Sequence, residues 1–187
     1  MKKIVLIFTL SMGLFSYSTF AHNLQLNSVL PAVSVANDGE LVLSNNEIKY
    51  QPWSSEQLRG KVRIVNHFAG RTEAKEKNLA LIEAIKSAKF DTNKYQTTTI
   101  INADDAVIAT GMFVKSSAEK GKKANAHSQV ILDQKSAVKN AWQLKEKDNA
   151  VIVLDKNGKV QWVSEGKLSS QSIQEIIALV RQLISKV

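Results

Sequence analysis

The chain contains no cysteine. A thiolate nucleophile, a thiol–disulfide exchange and a cysteine-ligated metal are therefore all excluded. Only two prolines occur, Pro31 and Pro52, both far from the C-terminal end. The eight glycines are scattered, with no glycine-rich phosphate loop. A Walker motif, a nucleophile elbow and the paired carboxylates of a glycosidase are missing too. After residue 21 no stretch is long and apolar enough to cross a bilayer as a helix. Repeats and low-complexity tracts are absent as well.

The first residues have a different character. Lys2 and Lys3 precede the apolar run "IVLIFTLSMGLF", and "STFA" places Thr19 and Ala21 where signal peptidase needs small side chains. An uncleaved anchor would need about 20 uninterrupted apolar residues, whereas Ser11 interrupts this run and Ser16, Ser18 and Thr19 follow it. The expectation is a signal peptide over 1–21, cleaved after Ala21, and one exported domain over 22–187 in the periplasm. The formal charge of +8 becomes +6 once Lys2 and Lys3 are removed. The remaining positive charge is spread along the chain, with one local knot at "KSSAEKGKK" (Lys115 to Lys123); it reads as a solvated surface, and no nucleic-acid partner is expected.

Along the rest of the chain, Val33 and Val35 lead into "NDG" (Asn37 to Gly39), and Leu41 and Leu43 resume beyond it, which predicts a hairpin turning at Asn37–Gly39. "VRIVNHF" (Val62 to Phe68) is a β-branched strand. From Glu73 the period becomes helical, with Leu79, Ile82 and Ile85 on one face. A strand follows at Tyr95 to Asn102, a helix near Met112 to Lys122, a strand at "SQVILD" and a short helix at "SAVKNAWQL". "NAVIVLD", "KNGK" and "VQWV" read as strand, tight turn and strand. The last helix carries Ile173, Ile176, Ile177, Val180, Leu183 and Ile184 as one stripe, with Ser169 or Ser170 as cap. Alternating strands and helices predict an α/β fold: a central mixed sheet with helices on both faces, an antiparallel hairpin at one side and an N-terminal β-hairpin extension.

"LRGKVRIVNHFAG" is similar to the segment that leads into the active site of exported thioredoxin-like proteins, approximately L-x-G-K-V-x-x-V-N-F-W-A. "NAVIVLDKNGKVQWVSEG" resembles the closing hairpin of that fold. "GELVLSNN", "GRTEAKEKN", "LIEAIKSAKF", "YQTTTIINADDA" and "VIVLDKNGKVQW" carry a closer resemblance, to the YtfJ family of small exported bacterial proteins. That resemblance implies a thioredoxin-like fold in the periplasm and brings no biochemical activity with it. With Ala69 set on the fold's strand-end alanine, Thr72 and Lys75 stand at the two cysteine positions. The fold's cis-proline falls near Asn149, and a non-proline cis bond costs about 3 kcal/mol, so a trans bond is expected there.

At this degenerate dithiol site Arg71, Thr72 and Lys75 would surround a helix N-terminus able to attract an anion, with Asn149 alongside. The plain alternative is that Thr72 caps the helix while Glu73 and Lys75 are solvated. His67 is a lone strand histidine, read as structural. Asp104 and Asp105 follow a strand end, where a cation would need more oxygens than the pair supplies. "DKNG" (Asp155 to Gly158) is read as the hairpin and not as a calcium loop. His22, once the first residue, could chelate copper through its amine and imidazole with His67 or His127. Chain starts are usually mobile, which argues against such a site. Phe113, Trp142 and Trp162 are read as packing residues. No cofactor is expected. The expected role is non-catalytic, the binding of an envelope protein, a peptide or a small anion; the rival is a metal protein or non-thiol enzyme using His22, His67 or Asp104 and Asp105.

Overall fold

The computed structural model describes residues 22–107 and 109–187, so the signal-peptide reading of 1–21 lies outside the described residues. Among the described residues, seven strands and five α-helices follow in the order β1 Ser34–Ser44, β2 Glu47–Ser54, β3 Val62–Ala69, α1 Thr72–Glu76, α2 Leu79–Ala88, β4 Tyr95–Asn102, α3 Gly111–Ala124, β5 Gln129–Asp133, α4 Ala137–Trp142, β6 Asn149–Leu154, β7 Val160–Glu165 and α5 Ser170–Ile184. A single 3-10 turn, Ser55–Leu58, links β2 to β3.

The strands form one sheet in the order β2-β1-β5-β4-β3-β6-β7. β3 pairs parallel with β4 and β4 parallel with β5, while β6, β7, β1 and β2 are added antiparallel. The central strands are buried on both faces, which explains their near-continuous apolar runs. One face packs Val65, Ile100, Ile152 and Leu154 under Trp142 of α4. The other packs Ile64, Val151 and Val153 against Leu81 of α2 and Ile176 and Val180 of α5. α3 covers the same second face further along, with Ala118 against Leu41, Ile101 and Leu132. Helices therefore lie on both faces of a mixed sheet, as the alternation predicts.

Two boundaries differ from expectation, each for a local reason. The hairpin does not turn at Asn37–Gly39. β1 runs straight through, and the register jumps between Val35 and Glu40 as a bulge. Asp38 and Gly39 both have positive φ, and a Cβ on Gly39 would lie 2.2 Å from the Gln51 carbonyl oxygen. The left-handed preference read as a turn thus bends β1, which lets Asp38, Gly39 and Glu40 pair with β5. The turn itself is Asn45–Asn46, with φ of 49° and 65°, as a two-residue hairpin requires. The second difference is in the helix expected from Glu73. It stops at Glu76 and restarts at Leu79, because Lys77 and Asn78 are held by the start of β6.

Candidate functional site

The C-terminal ends of β3 and β4 and the start of β6 meet at one end of the sheet. β3 reaches α1 through Gly70 and Arg71. A Cβ at Gly70 would stand 3.2 Å from Ala106 Cβ, the Asn102 carbonyl oxygen and Val114 Cγ2, so glycine permits this close passage. Arg71 occupies the cap position of α1 in extended conformation, with no side-chain cap bond. Thr72 is the first helical residue, exposed, and does not cap the helix. Arg71 Nε donates to the Asp105 carbonyl oxygen at 2.6 Å, and Lys75 Nζ to Ser117 Oγ at 3.3 Å. Neither cation has a carboxylate partner among the described residues.

Behind this turn the protein is tied to itself. Lys77 Nζ lies 2.5 Å from Asp148 Oδ1, and Lys145 Nζ lies 3.0 Å from Asp148 Oδ2. Burial pushes the Asp148 carboxyl up, but hydrogen bonds from Lys77, Lys145 and the Asn149 N–H outweigh it and hold the group below the usual carboxylate range. Asn149 Nδ2 donates to Asn78 Oδ1 at 2.8 Å and to the Gly166 carbonyl oxygen at 3.1 Å. Asn149 is thus buried in the floor of the site, away from any surface partner. No cis peptide bond occurs among the described residues. Where a dithiol and a cis-proline would meet, an ion pair and an amide–amide bond join α1, α2 and β6.

His67 and the acidic pair lie on the opposite face of the sheet. His67 is 1% exposed, and its Nε2 has no hydrogen-bond partner. Burial pushes its pKa down to about 4; Asp105 raises it and Lys139 lowers it. The ring is neutral at neutral pH. Asp105 Oδ1 faces Lys139 Nζ at 3.5 Å, and its Oδ2 accepts the Lys147 N–H at 3.2 Å. Asp104 Oδ2 instead accepts Ser136 Oγ at 2.8 Å. The two adjacent carboxylates are thus engaged with different partners and do not converge on a cation. His127 is exposed just before β5, where its carbonyl oxygen accepts Gln96 Nε2, at the end of the sheet away from His67. His22 is half-buried, next to Asn23, which bonds Trp142 and Ala141 at the end of α4. Among the described residues no three His, Asp or Glu side chains are placed to hold a metal. In the final hairpin, Asp155 Oδ1 accepts the N–H groups of Asn157 and Lys159, both at 2.9 Å. It acts as a turn residue, as the sequence indicates.

Phe113, expected to pack, is 74% exposed, as are Met112 at 84% and Val107 at 50%. Trp142 is fully buried and Trp162 half-buried, as packing residues should be. The reason lies in the helical period: α3 buries Ala118 and Lys122 and partly buries Val114, so the inward face runs 114, 118, 122. Phe113 therefore points away, one position off that face. Lys122 reaches the core side because its Nζ donates to the carbonyl oxygens of Ala126 and Ser128. The signal in the sequence is the run Met112–Phe113–Val114 at a helix start, since one face cannot bury three consecutive residues.

A family model described as "Bacterial protein of unknown function (YtfJ_HI0045)" matches residues 24–183. The chain is 61% identical over 170 residues to an uncharacterized protein of Haemophilus influenzae, spanning 91% of this chain and 92% of that one. It is 48% identical over 164 residues to the uncharacterized protein YtfJ of Escherichia coli, spanning 88% and 89% of the two chains. The crystal structure of a thioredoxin-like superfamily protein superposes with a TM-score of 0.58 at 16% identity, covering 83% of this chain and 97% of that one. At that identity the likeness shows the fold alone. Fold and sequence together place the assignment beyond a shared pattern: the chain belongs to the YtfJ family, on a thioredoxin-like scaffold without cysteines.

Proposed function

We propose that this protein is a non-catalytic binding protein of the periplasm, which holds a partner on the surface next to its dismantled dithiol position. One observation carries this reading. At the end of the sheet where the fold's dithiol would stand, Arg71 and Lys75 have no carboxylate partner among the described residues; Arg71 bonds the Asp105 carbonyl, two residues before the exposed Val107, and Lys75 bonds Ser117, one helical turn after the exposed Phe113. An exposed apolar cluster bordered by charge is the usual make-up of an interaction site. The groups behind it are bonded to one another, so the arrangement favours a rigid platform over a reacting centre. Export rests on the "STFA" pattern at residues 18–21. Fractionation with mass spectrometry tests it: a chain starting at His22 in the periplasmic fraction is expected, and a membrane-bound chain retaining Met1 would reject it. The binding reading is tested by affinity capture from envelope extract with Arg71→Ala/Lys75→Ala, which should lose a partner while its melting temperature stays within a few degrees of the parent's.

A further inference from the structure

We infer that the occupant of this surface is a peptide segment of a partner protein in which a large apolar side chain is followed closely by a carboxylate. The inference rests on the binding reading above and names the chemistry of the partner.

The apolar half of the argument is the position of Phe113. Lys75 Nζ touches Ser117 Oγ, and Ser117 lies one helical turn beyond Phe113 on the same face of α3. The phenyl ring and the ammonium group therefore share one strip of surface. Gly70 also lies close to Ala106 and Val114, which sets the Arg71 turn against the segment that runs on to Val107. Aromatic and Met side chains and arginine are the types that concentrate binding energy in interfaces.

The charged half is the state of Arg71. Its Nε donates to the Asp105 carbonyl oxygen at 2.6 Å, and the side chain is half-buried. The guanidinium is thus held in one orientation before any partner arrives, with its terminal nitrogens left as donors. A fixed planar fork matches a carboxylate through two parallel hydrogen bonds. An anionic bilayer would be met more naturally by mobile lysines that adjust to many headgroups, so the fixed fork favours a carboxylate on a chain. Lys75, anchored only to a hydroxyl, can take a second acid one turn away.

The test is to pan a displayed library of random short peptides against the purified protein and map the selected peptides by NMR. The expected peptides pair Phe, Leu or Trp with Asp or Glu, and their binding shifts the signals of Arg71, Lys75, Val107 and Phe113. Phe113→Ser should weaken them roughly tenfold or more, as loss of a central anchor does, and Arg71→Ala should weaken them several-fold with a smaller salt dependence. Lys49→Ala, on the exposed edge of β2, should leave binding unchanged. Peptides that bind here without acidic residues would overturn the inference while sparing the binding reading. Peptides that map elsewhere, or a surface that binds phosphatidylglycerol vesicles through Phe113 and no peptide, would overturn both.

Discussion

Asn149 Nδ2 donates to Asn78 Oδ1 across 2.8 Å, joining the first residue of β6 to the break between α1 and α2. Both residues are buried. Asn149→Leu would leave Asn78 Oδ1 and one contact to Gly166 without a donor, which should cost about 1–3 kcal/mol. Because the two residues act as one unit, Asn78→Ala/Asn149→Ala should cost less than the sum of the single variants. Urea denaturation of the four proteins measures this coupling, and strict additivity would show that the bond contributes nothing.

The buried His67 makes stability depend on pH. Its folded pKa is about 4, against about 6.5 when unfolded, so between these values the unfolded chain holds the extra proton. Its contribution is fully present above pH 6.5 and is lost as pH falls towards 4, by about 3 kcal/mol in all. Asp105 and Lys139 are the charged groups that act on it. His67→Leu should remove this step, so that the difference in stability between pH 7 and pH 4 is smaller than in the parent. Parallel curves for the two proteins would refute a neutral buried ring.

Helix capping separates two residues that look equivalent in sequence. Ser169 Oγ accepts the Ser172 N–H at 3.0 Å at the start of α5, and Ser169→Ala should cost about 1 kcal/mol. Thr72 makes no cap bond at α1, and Thr72→Ala should change stability by less than about 0.5 kcal/mol, as exposed sites usually do. Thermal unfolding of the two variants decides between these roles.

The absence of cysteine gives a plain biochemical expectation. The purified protein should not accelerate disulfide reduction in an insulin turbidity assay, with or without a reductase system. Activity that co-purifies with the protein would contradict a thiol-free surface.

The fold was legible because its signals are local. β4 spans Tyr95–Asn102, the segment marked by the β-branched run from Thr97 to Ile101, and the stripe in α5 marks the face that meets the sheet. The bulge at Asp38–Gly39 was not legible, since positive φ serves a turn and a bulge equally, and only pairing with β5 separates them. The break in the helix after Glu76 also has a distant cause. Nothing in "KEKNLA" reports that Asp148 and Asn149, about seventy residues on, will hold Lys77 and Asn78. The surface position of Arg71, Thr72 and Lys75 follows from the strand–turn–helix pattern, but the exposure of Phe113 depends on which helix face meets Ile101 and Leu132.

The central claim is that the surface beside the former dithiol position binds a partner. A photo-crosslinking amino acid at Thr72 in living cells tests it most directly, with the same group at Lys49 on the edge of β2 as control. A discrete adduct is expected from position 72 and not from position 49. In the Arg71→Ala/Lys75→Ala background that adduct should fade while the melting temperature stays within a few degrees of the parent, since Lys75 is exposed and the hydrogen bond that Arg71 makes to the Asp105 carbonyl contributes about 0.5–1.5 kcal/mol. An adduct of undiminished yield in the double variant, or one formed only from position 49, would contradict the account.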